Sequence, residues 1–132
     1  MIKLTILPIS ILLFSMVGCA GEGKILVADF ERDDYGSWQV EGEAFGQRPA
    51  NGTLEDQQEV SGFFGKSLVN TYLDGDETTG VLTSPEFKIQ RKFINFLIGG
   101  GDSRRTRIEL LVDDQVTYTA SGRETEVMDW EN

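Results

Sequence analysis

From Lys24 onward the chain alternates short apolar runs, rich in Val, Ile, Phe, Tyr and Thr, with clusters of Gly, Asp and Asn. No window sustains an apolar period of 3.6 residues, so the pattern predicts strands rather than helices. The first predicted strand covers residues 25–31. The second covers 37–45, with Trp38, Val40 and Gly42 on one face and Gln39, Glu41 and Glu43 on the other. Residues 46–52 form a loop around Pro49. A third run, 62–73, is broken at Gly65 and closed by Asp74-Gly75-Asp76. Run 80–89 contains Pro85; proline cannot donate to a ladder, so this run is either an edge strand or bent at Ser84-Pro85.

Residues 93–98 are apolar except at Asn95, which predicts a strand covered on both faces and central to the core. Residues 107–118 read as a hairpin, with Ile108, Leu110 and Val112 on one face and Val116, Tyr118 and Ala120 continuing the alternation after Asp113-Asp114-Gln115. Asp114 stands where a tight hairpin usually places Gly or Asn. The last run, 126–132, begins like a strand with Val127, Met128 and Trp130. Six or seven short strands with turn signals between them predict an all-β fold, a jelly-roll-like two-sheet sandwich over residues 25–132. An apolar run without a following partner leaves an open edge, so the sandwich is expected to be incomplete at its C-terminus.

Residues 1–18 have a different texture. Lys3 gives a positive start, Leu4 to Val17 is apolar apart from Thr5, Pro8, Ser10 and Ser15, and small residues surround the single thiol in Met16-Val17-Gly18-Cys19-Ala20. A charged start, a short apolar centre and a small-residue end make a secretory signal, expected to lie outside the fold. The run is shorter than the roughly 20 residues a spanning helix needs. Its ending resembles a bacterial lipobox, which implies lipidation of Cys19 and residues 19–24 as a tether. Multiple acyl chains hold a membrane stably because each buried CH2 contributes about 0.8 kcal/mol. The expected location is therefore the outer membrane or cell surface.

Composition narrows the chemistry. The 132 residues include 12 basic and 22 acidic side chains, no His and one Cys, for a net charge of -10. Without His there is no Ser-His-Asp or Cys-His nucleophile and no His-ligated metal. A lone Cys makes no internal disulfide. The acid excess argues against nucleic acid, whose phosphates require clustered Lys and Arg.

Five motifs occur in order: Ile25-Leu-Val-Ala-Asp-Phe-Glu31, Trp38-Gln-Val-Glu-Gly-Glu-Ala-Phe-Gly46, Ser61-Gly-Phe-Phe-Gly-Lys66, Leu82-Thr-Ser-Pro-Glu-Phe87 and Ile94-Asn-Phe-Leu-Ile-Gly-Gly-Gly101. Together they resemble the N-terminal β-sandwich module of levanase-like enzymes of glycoside hydrolase family 32, exported by Gram-negative gut bacteria. The resemblance covers essentially the whole chain after the leader. It implies a following five-bladed catalytic propeller that hydrolyses fructans such as levan, inulin or sucrose. The family's Trp-Met-Asn-Asp-Pro-Asn-Gly, Arg-Asp-Pro and Glu-Cys motifs are not in this sequence, and Met128-Asp129-Trp130-Glu131-Asn132 has similar letters in another order. No catalytic residue is assigned. The expected role is a non-catalytic accessory module, partnered by the catalytic domain of the same polypeptide and by fructan. The alternative is a complete small surface lipoprotein with a structural or adhesive sandwich.

Two further kinds of chemistry remain. Glycosidic hydrolysis needs two carboxyl groups roughly 5–9.5 Å apart, but in so acidic a chain pairs such as Asp29/Glu31, Asp74/Asp76 and Asp113/Asp114 read first as solvated charge. Calcium, a hard cation that collects loop oxygens, suits acids better; Asp29 and Glu31 are the candidate ligands of a structural ion, with the Asp74-Gly75-Asp76-Glu77 loop second. Sugars stack on flat aromatic faces flanked by polar groups. Tyr35 and Tyr72, beside Asp-rich loops, are the candidate carbohydrate contacts, whereas Trp38 is expected in the core and one of Phe63 and Phe64 on the surface. Gly99-Gly100-Gly101 lacks the helix and Lys-Ser/Thr pair of a phosphate loop and reads as a strand end. Arg104, Arg105 and Arg107 form a local basic cluster.

Overall fold

A computed structural model describes residues 1–7, 23–123 and 125–131. They form eight strands and, among the described residues, no helix. The strands are β1 (Ile2–Leu7), β2 (Gln39–Gly42), β3 (Gly80–Thr83), β4 (Phe87–Lys88), β5 (Phe96–Gly100), β6 (Ile108–Val112), β7 (Gln115–Ala120) and β8 (Thr125–Glu131). One mixed sheet has the order β2-β3-β1-β6-β7, with β4 also pairing β1; β5 and β8 form a separate antiparallel pair. The all-β expectation therefore holds.

The largest departure is at the start. Residues 2–7, expected outside the fold, stand in the middle of the main sheet, where β1 runs parallel to β3, β4 and β6. The alternation of Ile2, Leu4 and Ile6 suits a strand as well as it suits an export leader. Conversely, residues 25–31 are not a strand, and Ile25, Leu26 and Val27 lie exposed. Run 62–73 is likewise loop, apart from one bridge between Leu68 and Ala50. Its backbone is held in part by the Glu31 and Asn70 side chains. Cys19 and most of the expected tether lie outside the described residues, as does part of the expected signal.

Other expectations hold or are refined. Run 80–89 breaks at Ser84-Pro85-Glu86, giving β3 and β4, and β3 is an interior strand, so the bent alternative is the one adopted. Strand β5 is half-buried in the two-stranded sheet and Phe93 is exposed, which corrects its assignment as central and covered on both faces. The glycines at 99 and 100 do end that strand.

The β6–β7 hairpin is present, with Val112 opposite Gln115 and a two-residue turn at Asp113 and Asp114, both with positive φ (51° and 60°). Positive φ at both central residues matches the twist of a type I′ hairpin, at a steric cost for non-glycine residues. The core gathers Tyr35, Ala44, Phe45 and Leu82, with Ile2, Phe30, Trp38 and Val69 packed against it.

Candidate functional site

Immediately before β2, residues 26–38 fold back on themselves. Asp34 Oδ1 accepts the Gly36 N–H at 3.0 Å, and Trp38 N–H donates to the Tyr35 carbonyl at 3.1 Å, so an acidic side chain and a backbone turn shape the bend. The bend brings three rings together. Phe30 packs edge-on against Tyr35 (6.3 Å between ring centres, 72°) and against Trp38 (5.1 Å, 63°). These are favourable aromatic geometries.

Between this aromatic step and the strip from Leu26 to Asp29 lies a cleft of about 230 Å³. Its wall mixes the rings with Arg32, Asp29 and Asp34. Flat apolar faces flanked by one cation and two carboxylates form a surface that can take a polyhydroxylated ligand by stacking and hydrogen bonding.

The predicted residues take different places. Tyr35 lines the cleft but is only 6% exposed, and its hydroxyl donates to the Phe45 carbonyl at 2.8 Å. Burial disfavours the phenolate and pushes its pKa up to about 12. Its ring can offer an edge, while its hydroxyl is already committed to the core. Tyr72 does not line this cleft. It is half-buried, its N–H donates to Asn70 Oδ1 at 3.1 Å and its hydroxyl to the Asp56 carbonyl at 3.4 Å.

Asp29 and Glu31 are both occupied by backbone donors. Asp29 Oδ1 accepts the Glu31 N–H at 3.2 Å. The Glu31 carboxylate crosses to the loop at 65–67, where Lys66 N–H donates to both oxygens (2.9 and 3.1 Å) and Ser67 N–H donates to Oε1 at 3.0 Å. Gly65 makes this reach possible: with φ of +86°, an added Cβ would stand 2.2 Å from Glu31 Oε1. Among the described residues, no three acidic, Cys or His side chains converge as a cation site requires.

The basic cluster also separates. Arg107 pairs with Glu109, through Nη2 at 2.6 Å and Nε at 2.7 Å to the same oxygen, and Nη1 donates to the Arg104 carbonyl. Glu109 is buried, so the pair neutralises a charge inside the sheet. Arg104 and Arg105 stay exposed on the loop. Phe64 is exposed and Phe63 half-buried, as their adjacency implied.

Trp38, expected in the core, does pack against it and also lines the cleft, whereas the sequence assigns no contact role to Phe30 or Arg32. The signal that pointed to them was the Asp33-Asp34-Tyr35-Gly36 turn, whose chemistry folds residue 30 back toward residue 38.

No protein-family model matches the chain, and no solved structure matches it. It is 39% identical over 119 residues to the Aspergillus rugulosus protein ecdE, named as a glycosyl hydrolase. The matched stretch covers 87% of this chain and 17% of that relative, so the chain spans under a fifth of the length of the protein it resembles. This all-β chain is related to a limited part of a glycosyl hydrolase.

Proposed function

We propose that this chain is a non-catalytic accessory module of an exported, lipid-anchored glycoside hydrolase that acts on β-fructans. The observation that carries the glycoside-hydrolase part of this reading is the match of most of the chain to a short part of a much longer glycosyl hydrolase; export, anchoring and fructan rest on the sequence resemblance. A module of that kind is expected to position the catalytic domain and to touch polysaccharide weakly. The cleft walled by Phe30, Tyr35 and Trp38, with Arg32 and Asp34 beside it, is where a sugar would rest. Stacking on Trp38 would supply most of the contact, with Arg32 fixing hydroxyl orientation. Export through residues 1–18 and lipidation at Cys19 would hold the module at the membrane. A structural calcium at Asp29 and Glu31 would share the Glu31 carboxylate with the amides of Lys66 and Ser67.

Affinity electrophoresis of the chain through gels containing levan or inulin tests the reading. Retardation by a fructan and its loss in Trp38→Ala, with no reducing sugar released, is the expected result. Unchanged mobility in both gels would remove the fructan assignment. Hydrolysis of levan by the chain alone would overturn the non-catalytic role.

A further inference from the structure

Two apolar segments stand in an unequal relation to one strand position. Segment Ile2–Leu7 occupies the position between β3 and β6. Segment 25–27, Ile-Leu-Val, has similar composition but lies on the surface, with Ile25 51%, Leu26 71% and Val27 44% exposed. Three adjacent large apolar side chains in water are an unfavourable arrangement for a sequence with strong strand preference. Three residues after Val27, Phe30 has a φ of +57°. A bulky residue in the left-handed region carries real strain, which an extended backbone would relieve.

The present occupant fits the position imperfectly. Its backbone is well paired: Leu82 N–H donates to the Met1 carbonyl at 2.8 Å, Ser84 N–H to the Lys3 carbonyl at 2.7 Å, and Ile2 N–H to the Arg107 carbonyl at 3.1 Å. Leu4 is buried. But the strand carries a half-buried ammonium at Met1, which donates to the Gly80 carbonyl at 3.1 Å. Desolvation and the neighbouring Arg107 hold the pKa of that amine below its ordinary value, although Glu109 partly offsets them. The two segments also meet the same core. Ile2 and Phe30 both pack against the cluster of Tyr35, Phe45 and Leu82, so residues 24–29 start from an anchor already beside the position. At about 3.3 Å per extended residue, five residues span about 16 Å and cover all but one position of the six-residue β1.

We propose that the position between β3 and β6 is a strand-exchange site: the leader strand Ile2–Leu7 fills it in the uncleaved chain, and residues 24–28 enter it once the leader is removed. This inference rests on the export reading of residues 1–18. Without a replacement, removal of β1 would expose the unpaired edges of β3 and β6 and the apolar side chains that Leu4 covers. With a replacement, those edges regain partners, residues 25–27 leave the solvent and Phe30 can leave its left-handed conformation.

Amide hydrogen exchange on two forms of the full chain, the first purified from membranes of the exporting host and the second from the cytoplasm before export, tests this. One is the wild type, and the other is Cys19→Ala, which retains the leader. Intact mass first establishes whether residues 1–18 are present. In the processed chain the amides of residues 25–28 are expected to exchange at least about a hundredfold more slowly than in the leader-retained chain. Fast exchange there in a processed chain overturns the exchange while leaving the export reading intact; an uncleaved wild-type chain overturns both. A second variant keeps the test independent of that comparison. Leu26→Pro, which removes a ladder donor and fixes φ, should leave the melting temperature of the leader-retained chain unchanged and lower that of the processed chain. Equal effects on the two forms would also overturn the proposal.

Discussion

Residues 29–73 and residues 80–120 satisfy their backbone polar groups in opposite ways. In the second region strands do it: β3 pairs β1 and β2, and β6 pairs β1 and β7, residue by residue. In the first region, outside β2 and the Ala50–Leu68 bridge, side chains do much of it. Glu31 takes the amides of Lys66 and Ser67, and Asn70 and Gln57 bond each other while Asn70 reaches the Gly52 carbonyl and Gln57 the Leu54 amide. Ser67 is tied to Asn51, and Tyr35 to the carbonyl of Phe45. A ladder distributes its stability over many equivalent bonds, whereas a stitched loop concentrates it in a few side chains. Single polar substitutions should therefore be felt in 29–73, and apolar truncations most strongly where both regions meet.

That meeting point is Leu82, fully buried on β3 in the cluster with Tyr35 and Phe45 from the stitched region. Leu82→Ala is expected to destabilise the chain by about 2–5 kcal/mol, the usual range for a buried leucine truncation. Urea unfolding would measure it. A loss below about 1 kcal/mol would mean that the two regions do not share a core.

Glu31 comes next. Glu31→Ala removes the acceptor for two loop amides and should cost about 1–2 kcal/mol, discounted from larger charged-bond values because the carboxylate is exposed. Proteolysis should then cut first near residues 65–67. Gly65→Ala should mimic it, since the new methyl would occupy the space of the carboxylate and φ is left-handed there. A polar change on the ladder side, such as Thr119→Ala on exposed β7, is the control and should stay within about 0.5 kcal/mol.

The contrast also explains what the sequence made legible. The β6–β7 hairpin, the break at Ser84-Pro85 and the glycine-ended strand β5 were readable because alternation, proline and glycine act locally. The stitched region was not. Run 62–73 carries β-forming residues, yet Glu31, distant in sequence, holds its backbone instead. Strand β1 and segment 25–31 were assigned in the reverse of their observed places because both satisfy the same apolar alternation, and periodicity alone does not rank two candidates for one position. The aromatic cleft was half legible: Tyr35 was singled out, but Phe30 and Trp38 joined it only through the turn at 33–36.

Tyr35 offers a smaller, pH-resolved effect within the stitched region. Its folded pKa of about 12 lies above the ordinary tyrosine value of 10.0, so the folded state holds the proton more tightly. The associated stability is fully present below pH 10 and is lost as pH rises toward 12. Tyr35→Phe should cost about 1 kcal/mol at neutral pH, through the lost bond to the Phe45 carbonyl, and should flatten the alkaline decline in melting temperature between pH 10 and 12. An identical decline in the variant would assign the alkaline sensitivity to another group.

The smallest expected change belongs to the ladder side and has the opposite sign. At the tip of the β6–β7 hairpin, Asp113 and Asp114 both adopt left-handed backbone, and both are exposed. Two adjacent carboxylates add repulsion to the steric cost, and among the described residues neither carboxylate accepts a hydrogen bond that would offset it. Asp114→Gly removes the steric penalty and one charge without touching the ladder. The gain in the folded state is partly cancelled because glycine also loosens the unfolded chain. A net stabilisation of about 0.5 kcal/mol is expected, read as a higher urea midpoint at unchanged slope. If the midpoint falls instead, the tip is held by something other than its turn geometry, and the ladder's independence from individual side chains ends at this hairpin.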